Sequence, residues 1–335
     1  MSERFESHDR AIRYCTFCPK LCRHACPVAH AEARETVTPQ AKNALAGLVR
    51  DGQAPLDAEA VDVFHRCTGC GLHATACELD VEVAPVLLDA RAAGVDAGVI
   101  HPALEALSDE FPPPTSSVPQ CDTAWFAGCS ATPAHAEAGL AAARQLDAAV
   151  RPADVGCCGY PLLAAGRVAE FEAHARAMVR ALGEARRVIT ADPICAWTMR
   201  KAWPEPIDAR HLAEVAAPPR DCRGLGRVAY HDPCHLSRKL GVTEQPRALV
   251  QAATGAPPVE LAWAKQGGWC SGGGGLLPRT APDTASGIAD ELLDQVKEAG
   301  ADTVVTACPR CHAQLSATAA EDPGDIKVVD LVELL

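Results

Sequence analysis

The sequence predicts an α-helical N-terminal domain followed by two α/β domains that are related to each other. Cysteines are concentrated in two short runs before residue 80, and a buried strand that ends at a cysteine occurs twice in each half of the remaining chain. Helical stretches alternate with those strands, which is typical of parallel α/β layers. With 335 residues and 48% hydrophobic composition, the chain exceeds what one compact core usually supports.

Composition narrows the class of protein. A formal charge of −12 argues against a nucleic-acid partner, because phosphate binding needs clustered Lys and Arg. No apolar run approaches the roughly 20 residues that span a bilayer, and the polar start lacks the layout of a signal peptide. We therefore expect a cytoplasmic protein that reaches a membrane only through a partner. Seventeen cysteines, an odd number with many close pairs, indicate metal binding rather than disulfides.

The first cysteine run, residues 15–27, reads CTFCPKLCRHACP. It is close to the C-x2-C-x2-C-x3-C-P run of bacterial ferredoxins, with one extra residue before the third cysteine. Closely spaced thiolates on a tight turn can meet three irons of a cubane, and the fourth ligand then comes from elsewhere. Residues 67–78 (CTGCGLHATACE) repeat the run, with His73 in the third position and Glu78 where proline is usual. The pair of runs predicts a ferredoxin-like domain with two 4Fe-4S clusters.

In two-cluster ferredoxins the fourth cysteine of each run ligates the other cluster. This rule assigns the first cluster to Cys15, Cys18, Cys22 and Cys77, and the second to Cys67, Cys70, Cys26 and, if it ligates, His73. A histidine ligand would raise the potential, as in Rieske centres. If His73 only points at the site, three thiolates remain, and the centre is a 3Fe-4S or labile cluster. The sequence leaves both alternatives open.

From about residue 121 the chain repeats itself. Residues 188–195 (VITADPIC) align with 304–311 (VVTACPRC), and residues 124–129 (AWFAGC) correspond to 228–234 (VAYHDPC). Each is a buried-strand pattern that delivers a cysteine at its end, where sites in open α/β sheets are found. The glycine-containing loops GCCG and GWCSGG lie between these segments, and glycine lets the backbone approach an inorganic cluster. Helices are expected over residues 133–149, 167–182, 245–253 and 284–299.

Two ferredoxin-type runs, followed by two copies of a cysteine, a C-C-G pair and a C-x2-C, make the chain resemble a known family. This family comprises the CCG-domain iron-sulfur subunits of heterodisulfide reductases and of glycolate, lactate and anaerobic glycerol-3-phosphate dehydrogenases. The phrases VTP at 37–39 and YHDPCH at 230–235 also look like this family. The resemblance implies a ferredoxin-like domain over residues 1–110 and two pseudo-symmetric CCG-type α/β domains over 121–215 and 226–335.

The resemblance also implies a function and partners. The chain would be an electron-transfer subunit that works beside a flavin-containing dehydrogenase of the 2-hydroxy acid type and passes electrons to a quinone or another carrier. The donor's chemistry would then belong to the partner, and this chain would not itself be catalytic. In agreement, the sequence has no dinucleotide-binding fingerprint that joins a strand to a helix and no Walker loop.

The CCG motifs depart from the family pattern. In heterodisulfide reductases each five-cysteine motif is associated with a noncubane 4Fe-4S cluster at which the disulfide is cleaved, and neither half here keeps five. The metal-ligand candidates are Cys129, Cys157, Cys158 and Cys195 with Asp192 in the first half, and Cys234, Cys270, Cys308 and Cys311 with Trp269 in the second. Four thiolates suit an iron-sulfur cluster or a zinc ion, so the metal stays open. Asp192 is either an oxygen ligand or a helix cap, whereas Trp269 can only shield the site.

Three functions compete at this point. The first is the electron-transfer subunit, and the second is a catalytic heterodisulfide or disulfide reductase that acts at a CCG-domain cluster. The third is a zinc-stabilised interaction protein, which would be colourless rather than brown. His231, Asp232 and His235 flank Cys234 and either support the site by hydrogen bonding and proton transfer or are structural. Cys121 and Cys222 have no partner at ligand spacing and are expected to be buried thiols.

Overall fold

The computed structural model describes residues 2–215, 219–321 and 326–335. The helices are α1 (Ser2–Glu6), α2 (Asp9–Phe17), α3 (Pro27–Glu32), α4 (Pro39–Arg50), α5 (Ala58–His65), α6 (Leu72–Thr75), α7 (Val83–Asp96), α8 (Leu107–Glu110), α9 (Pro133–Leu146), α10 (Tyr160–Ala164), α11 (Val168–Leu182), α12 (Pro193–Trp197), α13 (Leu212–Val215), α14 (Glu244–Thr254), α15 (Leu277–Thr280), α16 (Pro282–Glu298) and α17 (Pro309–Glu321). The strands are β1 (Thr123–Trp125), β2 (Arg151–Pro152), β3 (Arg187–Thr190), β4 (Asp208–His211), β5 (Val228–His231), β6 (Thr303–Thr306) and β7 (Lys327–Asp330). Among these residues no helix is both long enough and apolar enough to cross a bilayer.

The chain forms two compact units. The N-terminal unit contains residues 1–110, 161–168 and 270–289, and the C-terminal unit contains residues 111–160, 169–269 and 290–335. The division differs from the sequence-based domains, because two segments expected within the α/β domains belong to the N-terminal unit.

The N-terminal unit is helical and packs around a core that includes Phe5, Ile12, Phe64 and Leu87. Helix α4 begins where the Thr38 hydroxyl accepts a hydrogen bond from the backbone N–H of Ala41, with a proline in the first helical position. This helix packs against α2, α5 and α7. The cysteine runs lie in the short connections of this helical framework: the first runs from the end of α2 to the start of α3, and the second surrounds α6.

Segment 270–289 joins the N-terminal unit through its glycines. A Cβ atom at Gly275 would lie 2.2 Å from the Cys67 carbonyl oxygen, and one at Gly274 would lie 2.6 Å from the Thr68 carbonyl oxygen. Both positions therefore allow backbone to pack directly on the second cysteine run.

The C-terminal unit contains two parallel sheets. The first has the strand order β2-β1-β3-β4 and the second the order β5-β6-β7. Their equivalence appears in the register, since Val188 pairs with Ala124 as Val304 pairs with Ala229. The four helices expected from the sequence are confirmed as α9, α11, α14 and α16, with ends within three residues of the expected ones. Duplicated parallel α/β halves are therefore confirmed.

A buried ion pair organises the second half. Arg247 on α14 donates to both carboxylate oxygens of Asp232, at 2.8 and 2.6 Å, and to both oxygens of Glu260. Its guanidinium also lies 5.2 Å from the centre of the Tyr230 ring. The backbone N–H of Lys265 donates to Asp232 at 2.6 Å, so that both oxygens of Asp232 are engaged. These contacts give Asp232 the structural role that the sequence left open.

Replacement of Arg247 by glutamine should destabilise this unit markedly. The change leaves the buried Asp232 carboxylate without its counter-charge, a loss that costs about 3 kcal/mol or more. The control is Arg176→Gln on α11, which removes an exposed i,i+4 pair with Glu172 and should cost less than about 1 kcal/mol. Thermal unfolding followed by circular dichroism measures both, and equal midpoints for the two variants would contradict this account.

Candidate metal centres

The first cysteine-lined cavity lies in the N-terminal unit. Cys18 and Cys22 from the first run and Cys77 from the second line a cavity of about 410 Å³. Burial raises the pKa of the Cys22 thiol to about 12 and that of Cys15 to about 11, and Cys77 and Cys18 act electrostatically on both. The structure thus brings together the four cysteines that the crossed pattern grouped.

The second cavity of this unit is smaller and contains the other three cysteines of the two runs. Cys26, Cys67 and Cys70 line it, together with His73 and Lys42. Lys42 is buried, and its ammonium group donates to the Arg66 carbonyl oxygen at 2.6 Å. Burial raises the pKa of Cys26, whereas the charge of Lys42 opposes that shift. Sequence reasoning missed Lys42, because nothing in the spacing of α4 marks it as a neighbour of the cysteines.

The geometry at His73 bears on whether it is a ligand. Its Nε2 atom accepts a hydrogen bond of 3.1 Å from the backbone N–H of Val83. A neutral imidazole whose Nε2 accepts carries its proton on Nδ1, which leaves neither nitrogen with a lone pair for a metal. This arrangement favours the alternative in which three thiolates, and not His73, hold the group at this cavity.

In the C-terminal unit, the cysteines of the first half form two close sulfur contacts. The Sγ atoms of Cys129 and Cys157 lie 3.3 Å apart, as do those of Cys158 and Cys195. Cys129 is exposed, whereas the other three are buried. The backbone carbonyl oxygens of Cys157 and Cys158 also accept hydrogen bonds. The His174 side chain donates to that of Cys157, and the Trp203 side chain donates to that of Cys158. A side-chain hydrogen bond between Cys157 and Cys158 links the two pairs, so the four sulfurs predicted as ligands form one group.

Asp192 is a helix cap whose second carboxylate oxygen is not used by the cap. Its Oδ1 caps α12 by accepting from the backbone N–H of Ile194 at 2.8 Å. Its Oδ2 is buried without a hydrogen-bond partner and lies 3.9 Å from Nε of Arg310. Burial raises the pKa of this carboxyl group. One oxygen is thus structural, and the other is oriented towards the cysteine site.

Arg310 brings a positive charge to this cysteine group. Although it lies between Cys308 and Cys311 of the second half, its Nη2 atom donates to Sγ of Cys129 at 3.5 Å. A hydrogen bond from Cys157 and the charge of Arg310 lower the pKa of Cys129. Sequence reasoning missed Arg310, although its position inside a C-x2-C motif was a signal that it lies near sulfur.

The ligand candidates of the second half are divided between the units. Cys234, Cys308 and Cys311 lie in the C-terminal unit and Cys270 in the N-terminal unit. Cys308 and Cys311 are buried and hydrogen bond to each other, and Cys234 is hydrogen bonded at 3.4 Å to Nδ1 of its neighbour His235.

The aromatic and histidine neighbours are buried as well. The Trp269 ring lies 5.4 Å from that of Trp263, and its carbonyl oxygen is paired with Nε2 of His231. The other ring nitrogen of His231 is paired with Thr306, which makes its role structural. Burial lowers the pKa of His235 to about 3, so this imidazole is neutral at physiological pH.

Cys121 and Cys222 were expected to be buried, and this expectation was wrong. Both are half-buried. They lie in the chain segments that precede β1 and β5, and Cys222 packs on the edge of the core.

A Cys-x-Gly turn recurs at three of the candidate sites. In each turn the glycine N–H lies 3.4 Å from the sulfur of the cysteine two residues before it: Gly69 to Cys67, Gly159 to Cys157 and Gly272 to Cys270. All three glycines have φ between 70° and 86°. Only glycine adopts this conformation without strain, so the turn delivers a backbone donor to sulfur.

The donor set fits iron-sulfur or zinc chemistry. Thiols that converge at 3.3 Å, well beyond the S–S bond length of about 2.05 Å, are not disulfides, and all 17 cysteines are free. Soft thiolate ligands select iron-sulfur clusters or zinc. N–H donors directed at sulfur and the unpaired Oδ2 of Asp192 add groups that a bound metal or cluster would engage.

Comparison with known proteins gives one family. The profile of the CCG family, described as a cysteine-rich domain, matches residues 123–200 and 228–316. A subunit of the CoM/CoB fumarate reductase of Methanothermobacter marburgensis is 28% identical over 97% of this chain and 72% of its own length. A subunit of the dihydromethanophenazine:CoB–CoM heterodisulfide reductase of Methanosarcina barkeri is 27% identical over 83% and 78%. Lactate utilization protein A of Oceanobacillus iheyensis is 27% identical over 55% and 82%.

Replacement of Gly159 by alanine should lower the metal content of the first half. The new Cβ would lie 3.0 Å from Cδ2 of His174 on a residue with φ of +86°, so the Cys157 turn must move. The control is Gly183→Ala, which also imposes a side chain at positive φ but meets nothing within 4 Å. Iron, zinc and acid-labile sulfide per chain are the measurements, and full metal retention in Gly159→Ala would show that the turn is not needed.

Proposed function

Because the chain belongs to the CCG cysteine-rich domain family, we propose that it is an iron-sulfur electron-transfer subunit. Its electrons would come from a flavin-containing dehydrogenase of the 2-hydroxy acid type and pass to a quinone or another carrier. The name of its relative, lactate utilization protein A, supports a donor of this class. Free cysteines throughout the chain support a reducing, cytoplasmic location, with any membrane contact made through a partner.

One observation carries the proposal: the first cysteine cavity opens among exposed apolar side chains. Tyr14, Phe17, Leu21 and Leu79 line the cavity, and they are four of the six large hydrophobic side chains found exposed among the described residues. Phe17 is 86% exposed. Apolar patches of this kind mark sites of protein contact. A redox group at Cys15, Cys18, Cys22 and Cys77 would thus lie beside a docking surface.

We propose that each cavity of the N-terminal unit holds one iron-sulfur cluster. When bound, such a cluster supplies a one-electron redox couple. Cys15, Cys18, Cys22 and Cys77 would hold the first, which is the 4Fe-4S cluster. Cys26, Cys67 and Cys70 would hold the second, with His73 oriented by Val83 rather than ligating. In the C-terminal unit, Cys129, Cys157, Cys158, Cys195 and Oδ2 of Asp192 would hold a further cluster or a zinc ion.

Within the C-terminal unit, Cys234, Cys308 and Cys311 would hold the metal of the second half. His235 is hydrogen bonded to Cys234 and is neutral, so it adjusts the electron density on that sulfur without adding charge. Trp269, whose side chain is buried, would keep water from that site.

A second candidate function is disulfide reduction at the first half. Cys129 is exposed, and the Cys157 hydrogen bond and Arg310 lower its pKa, so its thiolate is both accessible and favoured. Relatives whose names place them in heterodisulfide reductases add support. The loss of the fifth cysteine in each motif makes this the less favoured candidate.

The crossed ligation can be tested with four serine variants. Cys18→Ser and Cys77→Ser lie in different runs but should lose the same cluster, because both line the first cavity. Cys26→Ser and Cys70→Ser should instead share the loss of the other. Each variant should retain the iron of the unaffected cavity, about half of the iron in the N-terminal unit. Iron analysis and EPR of the dithionite-reduced protein identify which cluster each variant has lost. If Cys77→Ser loses the same EPR signal as Cys70→Ser, the grouping is refuted.

Electron transfer and disulfide reduction are separated by reoxidation kinetics. The anaerobic, dithionite-reduced full chain should be reoxidised by a water-soluble quinone, and Cys77→Ser should slow this reaction at least about tenfold through loss of the cluster beside the apolar patch. Cystine should reoxidise the chain no faster than buffer does. Fast reoxidation by cystine that disappears in Cys129→Ser would instead establish the reductase function.

A further inference from the structure

Outside the cysteine sites, one group of side chains in the C-terminal unit has the composition of a metal site. It consists of His135, His312 and Glu333, and one ligand atom from each lies within 4.8 Å of the other two. His135 lies in the first turn of α9, His312 in the first turn of α17, and Glu333 in the 3-10 helix Leu331–Leu334 that follows β7. These elements come from both halves of the unit.

The distances in this group match metal coordination better than direct hydrogen bonding. Nε2 of His135 lies 3.4 Å and Nε2 of His312 lies 3.8 Å from the same oxygen, Oε1 of Glu333. A hydrogen bond between a protonated imidazole and a carboxylate is shorter, about 2.7–2.9 Å. Two ligands of a tetrahedral Zn²⁺ ion, each about 2.1 Å from the metal, are separated by about 3.4 Å. The His135 distance equals this ligand–ligand spacing, and the His312 distance is about 0.4 Å longer.

The backbone around each ligand atom is fixed. The N–H of His135 donates to the Thr132 hydroxyl that caps α9, at 3.2 Å. The His312 ring is hydrogen bonded to the backbone of Val328 on β7, and its Nε2 lies 3.4 Å from the Ser316 hydroxyl. Oε1 of Glu333 accepts from the backbone N–H of Asp330 at 2.8 Å within a capping box. Metal-ligating histidines commonly have such a backbone partner, which orients the ring.

The relative position of the His135 and His312 rings allows both to bind the same ion. Their centroids lie 4.9 Å apart at an interplanar angle of 81°. Both side chains are largely covered, at 13% and 19% exposure, whereas Glu333 is 42% exposed.

We propose that His135, His312 and Glu333 form a divalent transition-metal site, with zinc as its ion. Two imidazoles and one carboxylate are a zinc donor set that leaves one coordination position for solvent. The partial exposure of Glu333 gives that position access to water. By joining α9 of the first half to α17 and the C-terminal turn of the second, the ion would clamp the two halves together. This site uses none of the cysteines, and its presence does not depend on the proposed electron transfer.

The test uses the full chain purified anaerobically with its cysteine sites loaded, so that thiols do not compete for added metal. Zn²⁺ is titrated, and bound zinc is measured after desalting, together with zinc K-edge absorption spectroscopy. We expect one zinc, in addition to any held by the cysteine sites, that is bound through nitrogen and oxygen. His135→Ala and His312→Ala should each weaken its binding by about 100-fold or more, because changes that only disturb ligand orientation already cost about 10–100-fold. Iron content should not change.

Two further variants keep the result interpretable. Glu333→Gln retains an oxygen that can accept the Asp330 hydrogen bond but removes the carboxylate charge, so it should weaken zinc binding without unfolding the turn. His101→Ala removes a similar histidine–carboxylate pair, His101 to Asp62 at 3.5 Å, and should leave zinc binding unchanged.

The proposal is overturned by any of three results. These are a wild-type chain that binds no zinc beyond its cysteine sites, a zinc spectrum that shows sulfur ligands alone, and full zinc retention by the His135→Ala/His312→Ala double variant. A thermal midpoint that Zn²⁺ raises in the wild type but not in the double variant would confirm the clamp.

Discussion

The close approach of buried cysteine sulfurs is the constraint on which the rest of this structure depends. Cys158 and Cys195 are buried with their sulfur atoms 3.3 Å apart and are not joined by a disulfide. Thiols in such surroundings resist ionisation, as the raised pKa of Cys15 shows in the N-terminal unit. A bound cation or cluster removes that cost, since it binds thiolates directly. Loop conformation, buried charge and local packing can all be understood as ways to hold sulfurs in place for such a group.

The same local solution appears in both units. A cysteine followed two residues later by a left-handed glycine occurs at Gly69, Gly159 and Gly272, and in each case the glycine N–H is directed at the cysteine sulfur. Such hydrogen bonds help to set cluster potentials. The turn is local and needs only three residues, so it occurs both in the helical N-terminal unit and in a loop of the α/β unit. The glycines in these loops therefore do more than let the backbone come close to a cluster: each directs its N–H group at a cysteine sulfur.

The features that could be predicted from the sequence are those that depend on residues close together in the chain. Both cysteine runs, the duplicated strands and the four long helices follow from patterns of a few residues, and the structure gives them nearly the same bounds. Features that depend on contacts between distant residues were missed. Arg310 approaches Cys129 across 181 positions, and His135 meets Glu333 across almost 200. Coordinates were also needed to see that Asp192 caps α12 with one oxygen and leaves the other without a hydrogen-bond partner, because a capping residue and a ligand look alike in sequence.

Buried cations are placed where thiolates would accumulate negative charge. The chain carries a net charge of −12, yet Lys42 is buried beside Cys26, and Arg310 donates to Cys129 and faces Asp192. In a medium of low dielectric constant, several thiolates and a carboxylate without a counter-charge would be strongly unfavourable. A fixed cation stabilises the more negative, reduced state of a bound cluster and so raises its potential. The helical and the α/β unit thus share this electrostatic arrangement although they share no fold, which is the outcome expected if the chemistry at sulfur, rather than the architecture, determines where charge is buried.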